Sequence, residues 1–383
     1  MSPPDAATGP DVDSGPPRAS PWPEEATIAD VACDRLGRIC RALRWSAARR
    51  SALLDELRRL WEPWGGAPVA RRTGYRSAIS PQGVPFELAV VWRGGGTGVL
   101  VDFEALGEHP SALSSVDTGR EYVRRLGDRQ GTALDAYLSV EDLFTTAQPQ
   151  GPFPLWHGVS WSATGPPVFH VYLNPAIHGG RRADEVTAEA ASRLGVGRAW
   201  RAVLDHRDRL DAPRWRPVGV ALRLSGPGTR RVRVYVTSLA DGATLDAQAG
   251  IAEGHVPGRI AAALRITTGG RGAGWARPPT LWFTLAPGEP VPVASAVDIP
   301  LTTDNDAWAH GRVSRLMISQ GLEPLGYSTV LGAVCDRPWV VTRTQTLVSC
   351  RPGAPGGRPA RVAVYLAPGP CSRDGEPGTT ATT

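Results

Sequence analysis

The chain reads as α+β: a ten-stranded antiparallel β-barrel surrounded by α-helices and assembled from repeated helix–hairpin units. Three observations predict this. The hydrophobic period switches between helical spacing and strict alternation along the chain. β-like pairs flanking Gly/Pro-rich turns occur five times, beginning near residues 86, 157, 217, 280 and 341 and so roughly 60–70 residues apart. Helical stretches fill the gaps. Ten antiparallel strands in one chain leave no exposed edge only if the sheet closes. The rival arrangement is two separate α+β domains with a boundary near Ala212–Pro217.

Residues 1–25 are rich in Pro, Gly, Ser and Asp and read as a disordered tail. Ile28, Val31, Ala32, Leu36, Ile39 and Leu43 recur at helical spacing, and a second helix runs from about Ala47 to Trp61. PFELAVVW (Pro85–Trp92) and VLVDFEAL from Val99 flank RGGGTG, the first hairpin. That glycine run lacks the Gly-Lys-Ser/Thr ending of a phosphate loop and sits between strands, so it is a turn. WHGVSW (Trp156–Trp161) and VFHVYLNP (Val168–Pro175) flank SATGPP, followed by a helix over Thr187–Asp211. VGVALRL and RVRVYVT flank SGPGTR, followed by a helix over Leu245–Ile266. TLWFTLAP and ASAVDIPL flank GEPVPV, followed by a helix over Asp306–Leu322. VTRTQTLVSC and ARVAVYLAP flank the last turn, and residues 369–383 read as a second tail. Residues 26–368 thus form one domain.

With 42% hydrophobic residues the chain has ample material for a core. The net charge of +5 comes from arginine alone, since the chain has no lysine, and no run of five like charges occurs. That scatter excludes a nucleic-acid surface as the reading of its basicity. Five cysteines, Cys33, Cys40, Cys335, Cys350 and Cys371, form no CxxC pair and read as free thiols in a reducing cytoplasm. No apolar stretch reaches eighteen residues and the start carries no secretory pattern, so neither a membrane partner nor export is expected.

Side chains alternate across a strand. Phe169, Val171 and Leu173 oppose His170 and Tyr172; Val232, Val234 and Val236 oppose Arg231, Arg233 and Tyr235. Val362, Val364 and Leu366 oppose Arg361, Ala363 and Tyr365, while Phe86, Leu88, Val90 and Trp92 oppose Glu87. The helices need an apolar surface beneath them, so the aliphatic faces point outward. The Tyr, Arg, His and Glu faces then line the lumen. Guanidinium groups converging there suit phosphate oxygens. Tyrosine ring faces attract a cation, and Glu87 is placed to accept from an N–H. Trp161 and Trp282 are further candidates for the lining.

The stretches LWHGVSW…PPVFHVYLNP…GRRADEVTAEAASRLGVGRAW (Leu155–Trp200), PVGVALRL…RRVRVYV and VPFELAV resemble the bacterial branch of the dimethylallyltryptophan-synthase family. The resemblance covers residues from about 30 to 368. It implies a ten-strand barrel that moves an allylic group, often dimethylallyl, from its diphosphate to an aromatic acceptor such as an indole, with no metal and no cofactor. It implies that Glu87 holds the indole N–H, that His157 is a candidate base, and that His170, Tyr172, Arg231, Arg233 and Tyr235 bind diphosphate and shield the cation. Tyr365, Asp298 and Arg343 complete the expected site. The chain departs from the family where Leu100 replaces an arginine, Ala296 and Asp298 replace a Gln/Lys-x-Tyr pair, and Leu347 replaces a shielding tyrosine. Arg343 and Arg223 are the candidates to compensate. These departures motivate the alternative of a barrel that has lost diphosphate chemistry and cyclises a preformed natural product. A third reading is binding without catalysis. Small molecules are the expected partners of a monomer or homodimer.

Asp304 and Asp306 in TTDNDAW read as capping residues of a helix rather than a metal pair.

Overall fold

The computed structural model describes residues 22–69, 75–130, 134–210, 215–224, 231–270, 277–354 and 356–369. It opens with α1 (Ile28–Ala42), started by a capping box in which Thr27 accepts from the Asp30 amide, and α2 (Ala47–Trp61), capped by Ser46. The first hairpin is β1 (Phe86–Arg93) and β2 (Gly96–Phe103), and it leads into α3 (Ala112–Gln130) and a single turn, α4 (Asp135–Leu138). The second is β3 (Leu155–Ser162) and β4 (Val168–Leu173), followed by α5 (Ala183–Arg193) and α6 (Gly197–Arg209). Then come β5 (Arg216–Arg223), β6 (Val232–Thr237), α7 (Gly242–Ala249) and α8 (Arg259–Thr268). β7 (Thr280–Leu285), β8 (Ala294–Pro300), α9 (Asp306–Ser319), α10 (Leu325–Val334), β9 (Gln345–Arg351) and β10 (Arg361–Leu366) complete the chain.

All ten strands pair antiparallel, each with its chain neighbour, and β1 pairs with β10, so the sheet is a closed barrel. The two-domain arrangement does not occur. Because consecutive strands form the hairpins, all five turns gather at one mouth and all helical connections at the other.

The outward faces are aliphatic, as alternation requires. Phe86, Val90, Val99, Val101, Phe103, Val362 and Val364 have no accessible surface beneath the helices. Each such side chain contributes about 1.5–3 kcal/mol of burial, so the core is a cylindrical shell between sheet and helices. The lumen is left for polar side chains.

Two expected long helices are broken in the structure and a third ends early. Thr187–Asp211 divides into α5 and α6 at Gly195, whose φ of 74° suits glycine and ends a helix. Leu245–Ile266 divides into α7 and α8 around Gly254 and Gly258, with φ of 67° and 83°. Asp306–Leu322 stops at Ser319, and α10 follows without having been expected. Apolar spacing continues across these breaks, so periodicity alone does not see them. At the ends, Trp22 was expected in a tail but packs against the core. Gly369 lies so close beneath its indole that a Cβ there would sit 2.5 Å from the ring. The rest of both expected tails, residues 1–21 and 370–383, lies outside the described residues. Among the described residues no helix is long and apolar enough to cross a membrane.

Candidate active site

The turn-side half of the lumen holds a cavity of about 240 Å³. Among the described residues seven arginines line it, Arg93, Arg223, Arg231, Arg233, Arg351, Arg358 and Arg361, with Asp298 the one carboxylate. Strand register explains how they converge. Arg93 of β1 stands opposite Arg361 of β10, which stands opposite Arg351 of β9. Three like charges side by side across a sheet are unfavourable unless something anionic lies over them. Burial, then Arg233, lowers the Arg361 pKa. Burial, then the neighbouring arginines, lowers that of Arg351 to about 10, and its Nε has no hydrogen-bond partner. Both stay charged at neutral pH, so this mouth is an anion site.

Aromatic rings form the wall beneath. Tyr172 and Tyr235 have ring centres 6.3 Å apart, and Tyr235 lies 6.1 Å from Trp282. The Arg233 guanidinium lies 5.1 Å from the Trp282 ring centre, a cation–π contact that fixes its direction. The indole N–H of Trp282 donates to Asp298 at 3.0 Å. Burial raises the Asp298 pKa, opposed by hydrogen bonds from Ser349 and Trp282. Asp298 therefore lies among arginines rather than facing them as a free anion. Burial holds Tyr172 and Tyr365 well above the ordinary phenol range, so both keep their protons.

Glu87 occupies the other half of the lumen, near the helix-side mouth. Thr346 Oγ1 donates to its Oε1. Burial pushes its pKa up to about 8, against that hydrogen bond. Directly opposite on β2 stands Asp102, pushed up to about 7 by burial while the Tyr172 hydroxyl and the charges of Arg233 and Arg361 pull it down. Its Oδ1 has no partner. Gly158 makes room for that oxygen, since a Cβ at 158 would lie 2.4 Å from it. Glu87, Asp102, Gly158, His170 and Arg223 form one continuous register row across β1 to β5. The row begins near the helix-side mouth and ends at the arginine mouth.

The structure brings Glu87, His170, Tyr172, Arg233, Tyr235, Asp298 and Tyr365 to the lumen, with Arg231 exposed at the rim of the cavity. His170 is neutral rather than cationic: burial, then Arg233, Arg223 and Arg361, hold its pKa well below the usual value. It lines the cavity as a neutral imidazole, not a positive charge. Arg223 lines the cavity as expected of a compensating cation.

Two expected site residues lie elsewhere. His157 pairs with Val171 in register, so it shares the outward face. It is fully buried under α3, 4.7 Å from the Tyr122 ring and 5.4 Å from Phe103. Neither ring nitrogen has a partner, and burial alone drops its pKa to about 3. It is a core side chain with no route to the lumen, and cannot be the base. Arg343 precedes β9 at the helix-side mouth and donates to the Asp304 carbonyl at 3.0 Å. The length of the barrel separates it from the arginine cluster. Trp161 also points outward, donating to Glu56 of α2 at 2.9 Å. Asp306 is buried and accepts from the Thr344 and Gln345 amides, while Asn305 caps α9. Leu100 and Ala296 line or face the lumen without polar atoms, and Leu347 stands opposite Tyr365.

Missing from the expected set are Asp102, Arg351 and Arg358, while Arg361 lies on the lumen face as alternation predicts, though it was not named among the site residues. Alternation puts Asp102 on Leu100's face, so it was within reach of parity. Arg358 sits in the last turn, where no periodicity applies.

A closed ten-strand antiparallel barrel with helices outside and a polar lumen is the prenyltransferase barrel. Among solved structures the chain is similar to 6-dimethylallyltryptophan synthase from Micromonospora olivasterospora in complex with DMASPP and Trp. The TM-score is 0.80 at 26% identity, covering 90% of this chain and 100% of that one. It also has the fold of 5-dimethylallyl tryptophan synthase from Streptomyces coelicolor in complex with the same two ligands (TM-score 0.81, 22% identity, 94% and 99% covered). Prenyltransferase PriB in ternary complex with L-tryptophan and dimethylallyl thiolodiphosphate shares that fold too (TM-score 0.80, 23% identity, 90% and 96% covered). No family model and no curated protein matches the chain.

Proposed function

We propose that the chain is an aromatic prenyltransferase, moving an allylic group, dimethylallyl first among candidates, from its diphosphate to an indole or related aromatic acceptor without a metal. The observation that carries this is the arginine cavity backed by an aromatic wall, in the same lumen as Glu87. Arg233, Arg351 and Arg361 draw negative charge onto the leaving diphosphate as the allylic C–O bond breaks. Tyr172, Tyr235, Tyr365 and Trp282 present ring faces to the allylic cation and exclude water. Glu87 accepts from the acceptor N–H at the far end. The similar synthase with tryptophan and a thio-analogue of the donor bound supports the substrate pair. Four described cysteines without disulfides suit a cytoplasmic enzyme. It is expected to work as a monomer or homodimer on small molecules, with neither nucleic acid nor membrane as partner.

The test is incubation with dimethylallyl diphosphate and tryptophan in the presence of a chelator, read by mass spectrometry. A product heavier by one dimethylallyl group supports the reading. No product across a panel of indoles and allylic diphosphates, together with no binding of the thio-analogue, sinks it in favour of a barrel without diphosphate chemistry.

A further inference from the structure

A prenyl transfer of this kind ends with the loss of a ring proton, and His157, the expected base, lies outside the barrel beneath α3. The lumen must hold another acceptor. Glu87 sits at the helix-side end, occupied by Thr346. His170 is surrounded by arginines that suppress its basicity. Asp102 remains. It is 8% exposed, its Oδ1 is unpartnered, and Gly158 leaves that oxygen its space. Buried polar atoms are rarely left unsatisfied, and the exceptions need a reason. The register row places Asp102 between Glu87 and the arginine mouth, where donor and acceptor carbons must meet. Tyr172 connects it to the cavity: its ring lines the wall, and its Cε2 edge and the Asp102 Oδ1 flank the same space above Gly158, 3.1 and 2.4 Å from where a Cβ would stand.

We propose that Tyr172 and Asp102 form a proton relay that removes the ring proton of the alkylated acceptor. This rests on the prenyl-transfer reading. The allylic C–O bond breaks and its electron pair leaves with the diphosphate. A ring π pair forms the new C–C bond, leaving a cationic ring. The C–H bond at that carbon then breaks and its pair restores aromaticity. The proton arrives at the Tyr172 oxygen while the proton already there passes to the Asp102 carboxylate, and from Asp102 it returns to water after product leaves. The raised Asp102 pKa, about 7, suits a group that must take a proton and release it near neutrality. Tyr172 stays protonated at rest, as a relay requires.

The experiment compares the wild-type chain with Asp102→Asn, Tyr172→Phe and the double variant. Tryptophan is supplied with protium or deuterium on all its indole carbons. In the wild type, proton loss follows a slower ionisation and the ring isotope effect is near unity. Either single change is expected to lower kcat by about 10²–10³, with each KM held within about threefold. Each is also expected to raise the isotope effect clearly above unity, because proton loss becomes limiting. The double variant should be no slower than the slower single one, since the two act as a unit. Asp102→Asn is expected to fold, because it removes a desolvated carboxylate; circular dichroism checks this, and Tyr172→Phe gives a second reading. Wild-type rates in either single variant, or slow variants whose isotope effect stays at unity, overturn the relay and leave the diphosphate as the proton acceptor. A wild-type chain without turnover overturns the function and the relay together.

Discussion

The two ends of the lumen are built on opposite principles. At the turn-side mouth, arginines from three of the five hairpins converge over one cavity, with Asp298 as the single lining carboxylate among the described residues. At the helix-side end, Glu87 and Asp102 stand opposite each other with a raised proton affinity and hydroxyl neighbours. One end is organised for an anion and the other for hydrogen-bond donors. The difference teaches how a symmetric scaffold becomes a polar one. Each hairpin contributes its turn to one mouth, so arginines placed next to turns gather without any long-range contact being specified. Residues at the connection side meet only the chain that follows a helix.

The largest effect should come from breaking the anion end at its centre. Arg233 alone combines burial, the Trp282 ring face and the Tyr235 hydroxyl as partner. Arg233→Gln keeps a polar N–H donor on a shorter side chain and removes the charge. It should lower donor kcat/KM by about 10²–10³, the scale of a lost charge-stabilising donor. Arg343→Gln, at the opposite mouth, should leave it unchanged. Steady-state kinetics with dimethylallyl diphosphate measure both, and equal losses would mean that the barrel has no distinct anion end.

Legibility followed the same division. Hairpins were readable because turn chemistry and alternation are local. The lumen face followed from parity in VFHVYL, RVRVYV and RVAVYL, where every second residue is aliphatic. His157 was misplaced because LWHGVSW resembles a motif with a base nearby, whereas alternation from Val159 and the pairing with Val171 send it outward. Arg343 was misplaced because β9 begins two residues after it, at Gln345, and alternation has no meaning ahead of a strand. Asp102's direction was legible in VLVDF. Its unpartnered oxygen was not, since that depends on Gly158 of the adjacent strand. The charge state of His170 was equally hidden, because it depends on arginines far away in sequence.

The acidic end predicts a smaller effect that grows with pH. With its pKa at about 8, Glu87 is neutral at pH 6, where a glutamine carbonyl replaces it closely. Above 8 it is a carboxylate and a stronger acceptor for an N–H. Glu87→Gln should therefore cost little acceptor kcat/KM at pH 6 and about 10–100-fold at pH 9, the range of a hydrogen bond to a charged group. Stability moves the other way. An acid whose pKa rises on folding, here from 4.5 to about 8, binds more protons folded than unfolded between those values. Its favourable contribution is complete below the unfolded value and is lost as pH rises through the folded one. The melting temperature of Glu87→Gln relative to wild type should thus climb from pH 5 to pH 9. A difference that is flat with pH would show that Glu87 is not desolvated.

The smallest expected effect on catalysis belongs to His157, and it separates the barrel's two faces. Its ring fills space between Phe103, Tyr122 and the backbone of Gly119, where a Cβ would lie 2.8 Å from Nε2. Two buried ring nitrogens without partners cost stability that a phenyl ring does not. His157→Phe should therefore keep kcat within about twofold, hold the melting temperature or raise it, and leave the pH–rate profile unmoved. A loss of kcat with an intact fold would mean that protons cross the sheet from the lumen to α3. The aliphatic shell of Val159, Val171 and Val101, none with accessible surface, offers no atom to carry them, so the fold itself argues that chemistry stays on the inner face.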